Sequence, residues 1–180
     1  ILRPDYVAYA FVEPDACDLD VGAIHQGFLR GFRAHGGEIH TDAEVMEIAR
    51  ANGAWRVRTR AGDFTAPVVV NAAGAWADEV ARLAGVRGIG LVPKRRTVIA
   101  FDPPEGADIS AWPELDDIGE EFYLKPEAGR LLGSPADETP VPPQDIQPEE
   151  LDVAIAVDRI ERATTLRIRR VTRQWAGLRS

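Results

Sequence analysis

The sequence is poor in several features that would place a protein in a specialised class. It contains one cysteine, Cys17, so no internal disulfide can form. No apolar run approaches the roughly 20 residues that a membrane-spanning helix needs, and no secretory leader pattern is visible. These absences predict a cytoplasmic protein, in a reducing compartment and without a membrane span.

Negative charges outnumber positive ones in the sequence, with 29 acidic and 21 basic residues. The net charge is −8 at pH 7 and the pI is about 4.9, which argues against nucleic acid or an anionic membrane surface as the main partner. Arginines crowd the C-terminal end, but no row of aromatic side chains alternates with them as in single-strand nucleic-acid binders. Lysine is limited to Lys94 and Lys125, and this excess of arginine is typical of a GC-rich, bacterial genome.

Candidate metal ligands and nucleophiles are few. His25, His35 and His40 show no metal-ligand spacing with one another or with Cys17. Cys17 has no C-x-x-C partner and no adjacent basic residue that would activate its thiol. The sequence therefore predicts no metal site and an inert cysteine.

Three segments repeat apolar residues at steps of three and four, which is the spacing of one helical face. The first follows Asp18 or Asp20, either of which can cap a helix, and ends at Gly36–Gly37. The third begins at Pro148, a residue suited to the first helical turn. The predicted helices cover about residues 20–35, 76–85 and 148–165.

Between the helices, apolar and polar residues alternate with a period of two, as in half-buried strands. Asn52-Gly53 is a strong hairpin signal because both residues accept a positive φ. A strand is expected to start at Ile39, and RQWAGLRS at residues 173–180 is expected to be a strand that runs into a tight turn. Further strands are predicted at residues 44–50, 55–60, 64–70, 98–101, 121–125, 130–133 and 166–171, and loops at 102–120 and 134–147. The predicted fold class is α+β (mixed α/β), with a largely antiparallel or mixed β-sheet plus helices.

The stretch VVVNAAGAW, residues 68–76, joins an apolar strand to a helix through residues with almost no side chains. Small side chains let backbone N–H groups approach a ligand closely, and a helix N-terminus favours anionic groups such as phosphate. A tight strand-to-helix turn packed against a neighbouring element would use the same residues. The stretch alone leaves both interpretations open.

The stretch does not stand alone. A helix, a Gly-Gly stop, a strand carrying Val45, an Asn-Gly hairpin and VVVNAAGAWADEVARLAG follow one another in this order. Together they resemble the D-amino-acid oxidase family of FAD-dependent oxidoreductases, which includes glycine oxidase, sarcosine oxidase and related dehydrogenases. FYLKPEAGRLLGSPADET and WAGLRS are similar to substrate-domain strands of that family. The resemblance covers residues 14–180 and is most specific at 68–76 and 175–180.

The resemblance implies FAD as the cofactor and assigns four residues to it. Ala72, Ala73 and Gly74 match the loop that passes along the FAD near its ribose and pyrophosphate. Val45 matches a residue whose backbone contacts the adenine, and Trp76 matches a packing residue behind the loop.

The resemblance also implies a small, carboxylate-bearing substrate. Tyr123 lies in the strand that presents a tyrosine to the substrate pocket, and Arg179 matches the arginine that grips the substrate carboxylate. A guanidinium fork suits this role because it meets a carboxylate with two parallel charge-assisted bonds. In the family's chemistry hydride passes from the substrate Cα to the flavin, so no catalytic side chain is assigned.

The resemblance further divides the chain by function. It implies an entry segment at residues 1–17 and part of an FAD-binding domain at 18–90. A substrate-binding domain at 91–174 and a return toward the FAD domain at 175–180 would complete it.

The chain departs from the family at the dinucleotide motif. A strand and a Gly-x-Gly-x-x-Gly turn open such a site, yet the glycines of residues 85–92 follow a helix and have the wrong spacing. The family's C-terminal segment over the flavin would lie beyond Ser180. With the start at Ile1, these observations predict that the chain is an excised piece of a longer protein. Its partner would be the remainder of its own chain. The piece alone is expected to bind FAD poorly and to be inactive.

Three functions are carried forward from the sequence. The first is oxidation of a small amino acid or N-methyl amino acid by an FAD-dependent oxidoreductase. The second is an FAD-dependent 2-hydroxy-acid or glycerol-phosphate dehydrogenase of the same fold, which would call for a base to remove the alcohol proton. The third is a non-enzymatic binding or assembly module.

Overall fold

Helices alternate with antiparallel hairpins along the chain, and the computed structural model describes residues 1–180. The helices are α1 (Val21–Ala34), α2 (Ala77–Leu83) and α3 (Glu150–Ala163), with a 3-10 turn, Gly74–Trp76, before α2. The strands are β1 (Val45–Ala51), β2 (Ala54–Thr59), β3 (Gly62–Ala66), β4 (Lys94–Phe101), β5 (Leu115–Asp116), β6 (Tyr123–Glu127), β7 (Arg130–Ser134), β8 (Thr139–Pro140) and β9 (Val171–Arg179). The predicted mixed class of antiparallel sheets plus helices is confirmed.

The chain divides into two units. The meander unit comprises Ala10–Ala72 and Glu79–Arg87, and the sheet unit comprises Ile1–Tyr9, Ala73–Asp78 and Gly88–Ser180. The functional division into an FAD-binding domain at 18–90 and a substrate-binding domain at 91–174 stays a prediction.

Helix α1 of the meander unit forms where its capping residues predict it. Asp20 is the N-cap, and its Oδ1 accepts a hydrogen bond from the Ala23 N–H at 2.8 Å. Gly36 has a φ of 81°, which is the left-handed conformation that ends a helix. None of the helical residues is buried, and Phe28 on the apolar face is 77% exposed.

The three strands of the meander unit form an antiparallel sheet in the order β1-β2-β3. The predicted Asn52-Gly53 turn is confirmed, with φ values of 53° and 79°. The predicted strand start at Ile39 is wrong, because this residue lies in a loop before β1.

The predicted strand at 64–70 is wrong over its second half. Strand β3 ends at Ala66, which pairs with Trp55, and the neighbouring β2 extends only one residue further, to Ala54. Residues beyond 66 therefore run past the end of their only partner strand. Val68 and Val70 are consequently 70% and 81% exposed and belong to no ladder.

The sheet unit contains a six-stranded sheet in which β4 is central. Its strands follow the order β5-β6-β7-β4-β8, and β9 pairs with β4 along its whole length. All these ladders are antiparallel. The β6–β7 turn lies at Ala128-Gly129, with φ values of 48° and 78°, so the predicted turn at 126–129 starts two residues too early.

The predicted strand at 166–171 is wrong. Leu166 is 3% exposed and packs in the core from a loop, and Ile168 donates its N–H to Glu161 Oε1 at 2.6 Å. The last strand is instead β9, which contains most of the RQWAGLRS stretch. Alternation at 166–171 thus reflects a loop that buries Leu166 and partly buries Ile168 while its arginines are mostly exposed.

Helix α3 packs against one face of the six-stranded sheet and forms the core of the sheet unit. It begins at Glu150, two residues after the predicted Pro148, and its residues Ile160, Ala156 and Ala163 are fully buried. Apolar side chains from alternate sheet positions meet it, which keeps them from water. The main ones are Ile99, Phe101, Leu124 and Leu131.

Gly133 on β7 gives the closest approach between sheet and helix. A Cβ added there would lie 2.3 Å from Ile160 Cδ1, and Ile160 is fully buried and cannot turn into solvent. We expect Gly133→Ala to lower the free energy of unfolding by about 1–3 kcal/mol through overpacking, measured by urea denaturation. Gly177→Ala on β9 is the matched control, since its added Cβ meets nothing within 4 Å. Equal losses in the two variants would contradict this account.

The opposite face of the six-stranded sheet is rich in positive charge. Alternate residues of a strand point to opposite faces, so the residues between the core positions share this second face. Six of them are basic, and we call this surface the cationic face. Its basic residues are Lys94, Arg96, Lys125, Arg130, Arg173 and Arg179.

Candidate functional site

The two residues predicted to bind substrate lie on the cationic face. Tyr123 opens β6 opposite Ser134, and Arg179 ends β9 opposite Lys94. Tyr123 is half-buried and Arg179 is exposed. Phe122, which precedes the tyrosine, is 4% exposed and belongs to the core on the other side of the sheet.

Tyr123 and Arg179 face a common surface without touching. They are three strands apart, about 14 Å at roughly 4.8 Å a step, and four residue rows apart along the strands, about 13 Å. The straight path between them crosses β4 at Arg96, whose cross-strand partner on β9 is Gly177. The two positions are therefore about 19 Å apart on the face, with Arg96 and Gly177 on the surface between them.

The end of the cationic face near Arg179 contains an ion-pair network that the sequence did not reveal. Lys94 Nζ donates to Glu138 Oε2, and Arg96 Nη2 lies 3.4 Å from Glu138 Oε1. Arg96 Nε also donates to the Asp137 carbonyl oxygen at 3.0 Å. The hydrogen bond and charge of Lys94 lower the pKa of Glu138, so this carboxylate stays ionised.

A cation–π contact lies farther along β9. The Arg173 guanidinium carbon is 5.3 Å from the Trp175 ring centroid, and the two side chains share the cationic face. Trp175 lies opposite Val98, its cross-strand partner, on the surface that leads to Arg179.

A buried charge cluster lies on the helix side of β4. Arg95 is 5% exposed and pairs with Glu149 through Nη1, with Asp152 at 2.9 Å and with Asp137 at 3.7 Å. Asp137 also accepts hydrogen bonds from the Thr97 N–H at 2.6 Å and hydroxyl at 2.9 Å. The cluster therefore joins the start of β4 to α3 and to the loop after β7.

The single guanidinium of Arg95 pairs with three carboxylates in this cluster, so the negative charge of each is only partly compensated. Burial lowers the pKa of Arg95, but the Glu149 hydrogen bond and the charges of Asp152 and Asp137 outweigh it and raise that pKa overall. Burial raises the pKa of Asp152, and the Arg95 charge offsets only part of this rise.

Asp152 should consequently give stability a recognisable pH dependence. A carboxyl whose folded pKa is raised contributes stability below its unfolded value, 3.8 here, and this contribution is lost as the pH rises through the folded pKa. We expect the free energy of unfolding of Asp152→Asn, relative to the parent, to fall as the pH is lowered from neutral to below 3.8. Urea denaturation at several pH values measures this difference. A difference that stays constant, or that rises toward low pH, would refute the assignment.

The small-residue segment fits a ligand that lies against the backbone. In the sheet unit, Gly74 has a φ of 53° and an added Cβ there would meet nothing within 4 Å, while the next residue, Ala75, is 8% exposed. The Trp76 N–H donates to the Ala73 carbonyl at 3.0 Å and closes the turn. In the meander unit, Ala72 is exposed. These residues carry no side chain that would keep an FAD ribose or pyrophosphate away.

Val45, the predicted adenine contact, begins β1 in the meander unit. It pairs with Thr59, and the register shifts between Val45 and Glu47, so Met46 has no partner in the ladder. Such a bulge interrupts the pairing of backbone N–H and C=O groups. A main-chain contact to the adenine at Val45 would lie beside this bulge.

The glycine-containing segment of residues 85–92 makes its hydrogen bonds within the protein. The carboxylate of Asp78 accepts N–H bonds from Ile89 at 3.0 Å, Gly90 at 2.9 Å and Leu91 at 3.2 Å. A side chain at Gly88 would displace this carboxylate, since an added Cβ would lie 2.8 Å from the Asp78 carboxyl carbon. Asp78 lies in the first turn of α2, where a carboxylate can interact with the helix dipole. Its hydrogen bonds, however, go to the loop of residues 89–91.

The remaining polar candidates have local roles. His35 Nδ1 lies 2.7 Å from the Gly31 carbonyl at the end of α1, and His40 packs on Phe64 with ring centroids 4.7 Å apart. Cys17 is exposed. No helix combines the length and apolar character that crossing a bilayer requires.

Comparison with protein families gives one result that spans the chain. The family model described as "DAO: FAD dependent oxidoreductase" matches residues 2–180. Among curated proteins, mitochondrial dimethylglycine dehydrogenase from Rattus norvegicus is 28% identical over 137 residues. That alignment covers 75% of this chain and 16% of the dehydrogenase, so the chain spans a small part of this relative.

Solved structures show the same fold at low identity. L-proline dehydrogenase from P. horikoshii superposes with a TM-score of 0.71 at 21% identity, covering 86% of this chain and 42% of that one. Glycine oxidase from Geobacillus kaustophilus gives a TM-score of 0.63 at 22% identity, covering 82% and 38%. The chain thus spans about two fifths of each structural relative.

Proposed function

Because the chain belongs to the family of FAD dependent oxidoreductases, we propose that the protein oxidises a small amino acid or N-methyl amino acid. The observation that carries this proposal is the placement of Tyr123 and Arg179 on one sheet face, opposite the core. The names of the similar proteins support it, since one is a dimethylglycine dehydrogenase and another a glycine oxidase.

Arg179 holds the substrate carboxylate and so fixes the orientation of the Cα–H bond. Its guanidinium presents two parallel donors, which lock rotation as well as position. Tyr123, about 19 Å away across the same face, would line the far wall of the pocket. FAD, when bound, supplies the electron acceptor for oxidation at Cα, and orientation is the main contribution of the chain.

The residues of the sheet unit favour an amine over an alcohol as the group oxidised. Oxidation of an alcohol calls for a side chain that removes the hydroxyl proton, most often a histidine. His25, His35 and His40 all belong to the meander unit, and the sheet unit contains no histidine. An amine that loses its proton to water needs no such base.

Ala72, Ala73 and Gly74 would hold the FAD through their backbone, and Val45 would do so at the adenine. We expect Gly74→Val to weaken FAD binding about tenfold or more, because a β-branched residue disfavours the φ of 53° and its bulk fills the open space above the turn. Fluorescence titration of the apoprotein with FAD measures the affinity. Val86→Ala is the control at an exposed position. Unchanged affinity in Gly74→Val would remove this loop from the cofactor site.

The direct test is the visible spectrum of the FAD-loaded full-length gene product under anaerobic conditions. Glycine, sarcosine, dimethylglycine, L-proline and 2-hydroxy acids are added in turn. Bleaching of the flavin by an amino acid supports the proposal and identifies the substrate. Bleaching by a hydroxy acid alone would overturn the proposed amino-acid oxidation in favour of a 2-hydroxy-acid or glycerol-phosphate dehydrogenase. A protein that does not take up FAD would favour a non-enzymatic binding module.

A further inference from the structure

Two more basic residues, Lys94 and Arg96, lie between the proposed substrate contacts. Lys94 is the direct cross-strand partner of Arg179, and Arg96 is its diagonal neighbour across the same ladder. In an antiparallel pair, directly opposite Cβ atoms are about 5 Å apart and diagonal ones about 7–8 Å. All three cations can therefore contact one small molecule.

The charges at this end of the cationic face do not cancel. Glu138 is the carboxylate that pairs with both Lys94 and Arg96, and its charge also interacts with Arg179. Three cations thus share one anion, which leaves two positive charges for a ligand. A substrate with one carboxylate would compensate only one of them.

The surface beside these cations has room for a ligand. Gly177 lies opposite Arg96, and an atom at its Cβ position would meet nothing within 4 Å. The contacts of Arg96 use Nε and Nη2, so its Nη1 is not among the bonded atoms. The open space at Gly177 therefore lies between Arg179, which would bind the first carboxylate, and the guanidinium of Arg96.

We propose that Arg96, supported by Lys94, binds a second carboxylate of the substrate, which is a small amino acid or N-substituted amino acid with two carboxylate groups. The inference rests on the proposed function, because it assigns the first carboxylate to Arg179. Glu138 pairs with both basic side chains, competes with the second carboxylate for them and so tunes the preference between mono- and dicarboxylates. The short spacing across the ladder selects carboxylates a few bonds apart.

Binding of non-reacting acids tests the inference without turnover. The FAD-loaded full-length gene product is titrated with acetate, malonate and succinate by isothermal titration calorimetry. We expect one of the dicarboxylates to bind about tenfold more tightly than acetate, because it makes an additional charge-assisted contact. Arg96→Gln and Lys94→Gln should reduce this ratio toward one and change acetate binding little. Glu138→Gln should raise the ratio.

Arg167→Gln is the matched control, since Arg167 is an exposed side chain in the loop after α3 and its ion pair with Glu161 of α3 lies off the cationic face. The two proposals fail in different ways. If acetate binds and Arg179→Gln weakens it, but no dicarboxylate is preferred, the second carboxylate site is wrong and the proposed function stands. If none of the acids binds and no amino acid reduces the flavin, the proposed function fails first. Loss of FAD in Arg96→Gln, at unchanged acid preference, would assign these cations to the cofactor.

Discussion

Replacement of Arg179 by glutamine is expected to lower kcat/KM for the amino-acid substrate by about 10²- to 10³-fold, since removing one partner of a hydrogen-bonded charge pair costs about 3–4 kcal/mol. Glutamine keeps the length of the side chain but loses the charge and the fork of parallel donors. The substrate carboxylate then loses its partner, and the Cα–H bond its fixed orientation. Steady-state kinetics on the FAD-loaded full-length gene product measure the effect.

Two further variants separate binding from folding. Arg179→Lys keeps the charge but not the bidentate geometry, so it should recover only part of the lost activity. Arg167→Gln changes an exposed arginine elsewhere in the sheet unit and should stay within about twofold of the parent. Arg179 is itself exposed, so its replacement should leave the urea midpoint nearly unchanged. An active Arg179→Gln protein would exclude this arginine as the carboxylate ligand.

Replacement of Arg95 by methionine should produce the largest loss of stability, about 3–5 kcal/mol in the free energy of unfolding. Methionine has a similar volume but leaves Asp152 and Asp137 buried without their cation. A buried carboxylate without a partner is strongly disfavoured, whereas the intact pair costs little. Urea denaturation, with separate probes for the two units, gives the change in the sheet unit.

Matched variants identify the charge as the cause. Arg162→Met removes an exposed arginine that pairs with Asp158 at 3.4 Å on α3, and it should change stability by less than about 0.5 kcal/mol. The double variant Arg95→Met/Asp152→Leu replaces a charge pair with apolar side chains and should regain a large part of the loss. A double variant as unstable as the single one would attribute the loss to packing and not to the orphaned carboxylate.

Features that local chemistry decides could be predicted from the sequence. The Asp20 cap, the Gly36 stop and the Asn52-Gly53 turn depend on one or two residues each, and the structure contains all three. The fold class followed from the same local signals. Tyr123 and Arg179 were found through a family resemblance, and their common face follows from the strand register.

Features that depend on a distant partner could not be predicted. The Val68–Val70 run has the composition of a strand, yet β2 ends before it can pair with those residues. Glu138 and Asp137 lie about 40 residues from the basic side chains they bind, and no periodic pattern marks such a pair. Arg95 resembles any arginine of a basic run until the sheet turns it toward α3.

The central position of β4 also determines how the sheet unit can assemble. Its longest ladder joins residues 94–101 to residues 171–179, so most of the unit must be synthesised before that ladder can close. Closing a long loop costs chain entropy before any contact compensates for it, and such topologies fold slowly. The β1–β2–β3 meander pairs neighbours across short turns and can form early. The end of β9 that carries Arg179 is therefore expected to be among the last parts of the sheet unit to become native.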